Sequence, residues 1–211
     1  MTRPRSSRSD RFSAVVLAAG MSQRMGGPNK LLLPIAGAPL VRRSIETLCR
    51  HHFVEVIAVT GRDAPAIEKA IQGLPIRVVR NPAYQDGQMT SVRAGLEALQ
   101  EPSRGVFVAL ADQPWLTPED VALIAQAFSD RPDCRVLVPT FRGARGNPIV
   151  LSRASLSSIL ARSGNFGCRQ FVAKNPDLVT TVEMPSDHVI RDLDVPADYC
   201  ALVLDQDGVA Q

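Results

Sequence analysis

Short apolar runs alternate with stretches whose apolar positions recur at helical spacing, and turn residues punctuate the change from one to the other. Residues 14–17 (AVVL) form a run too short for a helix and ended by Gly20, which reads as a buried strand entering a loop. Behind Pro39, Leu40, Val41, Ser44, Ile45 and Leu48 repeat as one face of a helix. Residues 54–60 predict a second strand closed by Gly61, residues 64–71 a second helix ending at Gly73, and residues 76–79 a third strand. This β-α-β-α-β order predicts a parallel sheet with helices on both faces. A helix follows near residues 90–99. The strand at 106–110 is apolar throughout, as a central strand is. Thr117-Pro118-Glu119-Asp120 carries the marks of a helix start, and that helix runs to about Phe128. A strand is expected at 136–138.

Beyond that strand the alternation loosens. Residues 141–148 read as a Gly- and Arg-rich loop and 149–151 as a short strand. Residues 154–160 and 169–173 read as helical, 178–182 and 189–190 as extended, and 196–204 as a last helix. The expectation is an α/β Rossmann-like, three-layer α/β/α fold on a mostly parallel sheet, with a small antiparallel or lid insertion in the second half. One domain is expected over residues 12–204, behind a disordered basic tail at 1–11.

Composition changes this picture little. The 211 residues suffice for one substantial core, and the 45% apolar share is ordinary. Arg3, Arg5, Arg8 and Arg11 against Asp10 account for the whole formal charge of +3, so the remaining chain is near neutral. That argues against a nucleic-acid face on the folded body. No apolar run approaches membrane-spanning length, and the basic start lacks the apolar stretch of a secretory signal, so a cytoplasmic protein free of membranes is expected. Cys49, Cys134, Cys168 and Cys200 lack metal-ligand spacing, and all but Cys168 are expected to be buried or half-buried. His51 and His52 are adjacent, so they cannot share a helix face, and they are not read as metal ligands.

Candidate chemistry collects where strands end. In open parallel sheets ligands bind beyond the carboxyl ends of the strands. Four polar loops start there: 18–30, 81–90, 111–114 and 192–194. The first carries Leu17-Ala18-Ala19-Gly20, then Arg24, Met25 and Gly26, then Lys30. Gly20 permits a sharp turn, and exposed backbone N–H groups with two cations suit a polyphosphate. The spacing is neither that of a Walker A loop nor that of a dinucleotide fingerprint. Asp112 ends the apolar strand and needs a cation or several donors; magnesium on a triphosphate would satisfy it, and a loop cap is the plainer reading. Asp194, just before Pro196, reads by itself as a helix-start residue.

The ordered motifs resemble the molybdenum cofactor cytidylyltransferase family within the MobA-like NTP transferase superfamily. The resemblance rests on Leu17–Gly20, Arg24-Met25-Gly26 and Lys30. It continues through Asn81-Pro82 with Gly87 and Thr90-Ser91, Asp112-Gln113-Pro114, Gly146-Asn147-Pro148 and Asp192-Leu193-Asp194-Val195-Pro196, over roughly residues 12–200. It implies transfer of CMP from CTP to molybdopterin, with release of pyrophosphate and help from magnesium. It implies that Leu17, Ala18, Ala19, Gly20, Asn81 and Ser91 surround the nucleotide and that Arg24 and Lys30 contact its triphosphate. Asp112 and Asp194 would hold the metal. Gly146, Asn147, Pro148 and Arg169, in the piece Gly164, Gly167, Arg169, would lie on the pterin side. Ala19, where guanylyltransferases of the superfamily carry Gly, favours CTP over GTP. A monomer serving a molybdoenzyme is expected. The alternatives are a relative using GTP, a sugar phosphate or methylerythritol phosphate, and a non-catalytic cofactor carrier.

Overall fold

The computed structural model describes residues 11–22, 27, 29–161 and 168–207, without the side chains of Ile159, Cys168, Arg169 and residues 203–207. The tail expected before residue 11, as well as Arg24, Met25, Gly26, Gly164 and Gly167, lie outside the described residues.

The elements in chain order are β1 (Phe12–Ala18), β2 (Pro34–Ile35), β3 (Ala38–Pro39), α1 (Leu40–Cys49), β4 (Glu55–Thr60), α2 (Ala64–Ala70) and β5 (Arg77–Arg80). They continue with α3 (Gln88–Glu97), β6 (Gly105–Leu110), α4 (Pro118–Ser129), β7 (Val136–Phe141), β8 (Ala144–Arg145) and β9 (Ile149–Ser152). The last are α5 (Leu156–Ala161), α6 (Cys168–Lys174), β10 (Val179–Glu183) and α7 (Pro196–Asp207). The main sheet runs β10-β7-β9-β6-β1-β4-β5, with β8 paired back on β7. β1 is parallel to both β4 and β6, and β4 to β5.

The alternation of side chains builds the three layers. Ala14, Val16 and Ala18 of β1 and Phe107 and Ala109 of β6 face one apolar core, shared with Ile45 of α1 and Ile124 of α4. Val15, Leu17, Val106 and Val108 face the other, shared with Val92 of α3 and Phe171 of α6. The expected three-layer α/β/α arrangement on a mostly parallel sheet is therefore present, and β6 lies in the middle of the strand order. Local signals act as read. Thr117 and Asp120 form a reciprocal capping box at the start of α4, and the Ala36-Gly37 turn, with φ of 46° and 80°, joins β2 to β3.

The second half bears out one expectation and departs from others. The antiparallel insertion lies on the main sheet, as expected: β9 lies antiparallel between β6 and β7, and β10 extends the edge parallel to β7. The 141–148 loop is a hairpin, because Ala144 and Arg145 pair with Phe141 and Thr140. Residues 189–190 are not extended but end a 3-10 turn, Asp187–Ile190, since the chain must bend there to bring residues 192–194 back toward β6. Cys200 is exposed, against expectation, because it falls on the outer face of α7; Cys134 is buried and Cys49 half-buried. His51 packs edge-on to Phe53, at 4.8 Å between ring centroids, and burial followed by the charge of His52 lowers its pKa. Among the described residues no helix is long and apolar enough to cross a membrane.

Candidate active site

β1 and β6 run in register, with Leu17 beside Leu110, and the Ala111 N–H donates to the Leu17 carbonyl at 3.2 Å. The loops after both strands therefore leave from one rim. Asn29 shapes the first of them. Its side-chain oxygen accepts from the Leu31 N–H at 3.1 Å and from the Ser22 hydroxyl at 3.1 Å, and its amide donates to Asp63 at 3.2 Å. The 3-10 turn Lys30–Leu32 that follows turns the Lys30 side chain inward.

There its ammonium lies 2.6 Å from Asp112 Oδ2 and 2.8 Å from Asp194 Oδ1, with only 11% of the side chain exposed. Burial lowers the Lys30 pKa, but the charges and hydrogen bonds of Asp112 and Asp194 outweigh it and hold the pKa above its ordinary value. Lys30 is thus a fixed cation. Asp194 is not the helix-start residue that its position suggests. The N–H groups of Asp194 and Val195 both donate to Asp198 Oδ2, at 2.8 and 2.9 Å, so Asp198 closes the approach to α7 and frees Asp194 for Lys30. Nor is Asp112 a loop cap: its carboxylate takes the ammonium, while its backbone carbonyl accepts the Leu193 N–H at 2.9 Å.

A third carboxylate, Asp192, joins them; it stands in the last of the sequence motifs, which gave it no role of its own. Burial, then the charges of Asp112 and Asp194, push its pKa up to about 6 against the Gln113 amide and Lys30. Folding thus favours the protonated acid. Asp192's share of stability is complete below its ordinary 3.8 and is lost as pH rises through about 6. Asp192→Asn should therefore gain about 1 kcal/mol on the wild type between pH ~4 and ~7, a figure discounted for partial exposure. Urea unfolding of both proteins across that range checks it; a difference independent of pH contradicts it.

Asp112 Oδ1 and Asp192 Oδ1 are buried without a hydrogen-bond partner among the described residues. Two carboxylates already flank one cation, Lys30, and orphaned carboxylate oxygens lie beside them. This donor set suits magnesium, which takes one or two carboxylates and completes its shell with phosphate oxygens and water. Among the described residues no three His, Cys, Asp or Glu side chains form a cage that could hold a metal alone.

A cavity of about 350 Å³ opens beside the carboxylates. Val108, Leu110, Val138 and Ile149 give it an apolar wall, and Gln88, Arg145, Asn147, Asp192 and Asp194 a polar rim. The hairpin that brings Arg145 and Asn147 there is pinned. The Asn147 N–H and the Gln113 side-chain amide both donate to the Val189 carbonyl, at 2.8 and 3.0 Å. A Cβ on Gly146 would come within 2.5 Å of that same carbonyl, so only glycine allows the approach.

The other expected site residues fall into two groups. Leu17, Ala18 and Ala19 are buried and end the strand, while Gly20 is exposed with open space around it. The Ala19 methyl turns toward Gly61 and Tyr84: a Cβ built on Gly61 would meet it at 2.8 Å. Asn81 and Ser91 are engaged in the turn between β5 and α3. Asn81 donates to Thr90 and Ser91 at 2.8 and 2.9 Å and accepts from the Ala83 N–H at 3.0 Å. Lys30, Asp112, Asp194, Gly146 and Asn147 are brought together. Pro148 follows them into β9, and the side chain of Arg169 lies outside the described part.

A family model, the MobA-like NTP transferase domain, matches residues 14–179. The nicotine blue oxidoreductase of Paenarthrobacter nicotinovorans is 30% identical over 193 residues, 86% of this chain and 91% of that protein. The molybdenum cofactor cytidylyltransferase of Escherichia coli is 30% identical over 189 residues, 89% of this chain and 93% of that one. The crystal structure of Rv0371c from Mycobacterium tuberculosis shares the fold, with a TM-score of 0.78 at 23% identity over 93% of this chain and 99% of that one.

Proposed function

The chain belongs to the MobA-like NTP transferase family, a nucleotidyltransferase family, and from that premise we propose that it transfers CMP from CTP to molybdopterin and releases pyrophosphate. Family membership alone does not choose the chemistry, because a relative of equal identity is named an oxidoreductase. The observation that carries the reading is the buried Lys30 ammonium between Asp112 and Asp194, at the carboxyl end of β6 and beside a cavity of about 350 Å³. A cation held charged in a partly dry site suits reacting phosphates. It supplies no group that carries electrons.

In the proposed reaction an acceptor phosphate oxygen attacks the α-phosphorus of CTP. The new P–O bond forms as the bond to the bridging oxygen breaks, and that oxygen leaves with pyrophosphate. Lys30 neutralises phosphate charge at a fixed point, and Arg24 has the same role by resemblance. Magnesium on Asp112 and Asp194 would add Lewis-acid neutralisation of the phosphate oxygens. The pinned Gly146-Asn147 hairpin holds the acceptor side still. Catalysis is positioning and electrostatics, with no covalent intermediate on the protein. The product would serve a molybdoenzyme that uses the cytosine dinucleotide form of the cofactor.

CTP with magnesium is expected to raise the melting temperature more than GTP with magnesium, because only bound ligand stabilises the native state. Thermal unfolding at matched nucleotide concentrations measures this. Equal or greater stabilisation by GTP would overturn the cytidine assignment.

A further inference from the structure

The segment from Ser186 to Asp194 runs beside the exit of β6 and the start of α4, and it carries Asp192 and Asp194. Its first half is tied down twice. His188 Nδ1 lies 2.9 Å from the buried Asp120 carboxylate, and the Val189 carbonyl accepts from Gln113 at 3.0 Å. Near its end the Leu193 N–H donates to the Asp112 carbonyl at 2.9 Å. Against these ties works the mutual repulsion of Asp112, Asp192 and Asp194. Lys30 offsets it, but a phosphate that drew on the Lys30 ammonium would loosen the hold on Asp194. Arg191 stands immediately before the first of the two carboxylates. Its guanidinium carbon lies 3.9 Å from the centre of the Trp115 ring. That is well inside the reach of a cation–π contact, about 6 Å. Trp115 is a firm platform: it packs against the core shared by α1 and α4 and lies two residues before the capping box of α4. Asp187 flanks the guanidinium at 3.9 Å, in an ion pair too exposed to fix it alone.

We propose that Arg191 and Trp115 form a clasp that keeps residues 192–194 closed against Asp112, and that this clasp sets the affinity of the carboxylates for a divalent cation. The role given to the cation rests on the function proposed above; the clasp itself does not. Residue 191 is one peptide from Asp192 and three from Asp194, near enough to limit the swing of both. Without the clasp, like charges push the run outward and the carboxylates no longer converge on one ion. Arg191 and Trp115 are positioning residues, which act through the carboxylates.

The test uses the full-length, nucleotide-free protein and two measurements. One is amide hydrogen exchange followed by NMR. The other is manganese binding, with the free ion counted by electron paramagnetic resonance; manganese suits carboxylate and water ligands as magnesium does. In Arg191→Met the Leu193 amide should exchange about fivefold faster, as loss of a cation–π contact allows, while the amides of β6 keep their rates. Manganese affinity should fall by about the same factor. Trp115→Leu should give the same pair of changes, and Arg191→Lys, which keeps a cation over the ring, should restore part of both. Trp115 is the single tryptophan of the chain, so its emission in EDTA should also differ between the wild type and Arg191→Met. Identical spectra, Leu193 exchange at the wild-type rate in Arg191→Met, or unchanged manganese affinity in a variant whose Leu193 amide has opened would each overturn the proposal. Faster exchange throughout β6 would do the same, by showing a contact that only stabilises the fold. A wild type that binds no manganese would count against the metal site of the proposed function, and Leu193 exchange would still decide the clasp.

Discussion

Asp112→Asn should lower metal-dependent nucleotidyl transfer by about a hundredfold or more, comparable with the loss of a preorganised charge-stabilising group. The substitution keeps the shape and removes the charge. The fold should survive it. Lys30 keeps Asp194 at 2.8 Å, and Asp192 loses the neighbouring charge that helps to raise its pKa. The lost ion pair and the relieved repulsion oppose each other, so the apo protein should melt close to the wild type. Steady-state transfer across a magnesium titration, beside a melting curve, separates the two effects. Wild-type turnover with an unchanged magnesium requirement would return Asp112 to the role of a loop residue.

Lys30→Met should have the second-largest effect, and unlike Asp112→Asn it should also weaken the apo fold. The methionine stem refills much of the buried space, so the change isolates the ammonium. Without it Asp112 and Asp194 face each other and Asp192 without a cation. Removing one partner of a buried pair costs more than the pair is worth, here about 2 kcal/mol after discounting for partly exposed carboxylates. Turnover should fall about a hundredfold. Magnesium should restore more stability to the variant than it adds to the wild type, since the unpaired carboxylates then gain a cation. Calorimetry with and without magnesium checks this. A variant as stable as the wild type in EDTA would show that Lys30 does not hold the carboxylates together.

The fold was legible wherever local chemistry decides structure. Thr117-Pro118-Glu119-Asp120 announces a capped helix because all four positions act within one turn. The unbroken apolar run in β6 announces a central strand because only burial on both faces tolerates it. The second half was less legible because its order is set by distant partners. Residues 189–190 are apolar enough for a strand, yet the Val189 carbonyl accepts from Gln113 and Asn147, and both residues lie in a 3-10 turn.

The same holds for the site. The first loop and Asp112 stood out as charge beside an apolar strand. The partnership of Lys30 with Asp194 spans 164 positions, and no spacing rule reaches that far. Asp194 read as a helix start because Pro196 follows it; Asp198, two residues beyond the proline, takes that task instead. Asp192 stood in its motif without a role, because nothing in an Asp-x-Asp-x-Pro run shows that its neighbours bury it beside Asp112 and Asp194. Arg145 was hidden in a stretch read as loop. Its Gly- and Arg-rich composition gave no sign that residues 144 and 145 pair with β7.

Transfer of label from each α-labelled nucleoside triphosphate to isolated molybdopterin, with magnesium, tests the central claim most directly. The account predicts label from CTP in a molybdopterin dinucleotide, one pyrophosphate released per transfer, weaker transfer from GTP, and none with Asp112→Asn. Label that stays in the triphosphate, under conditions where the protein binds CTP and magnesium, would contradict it.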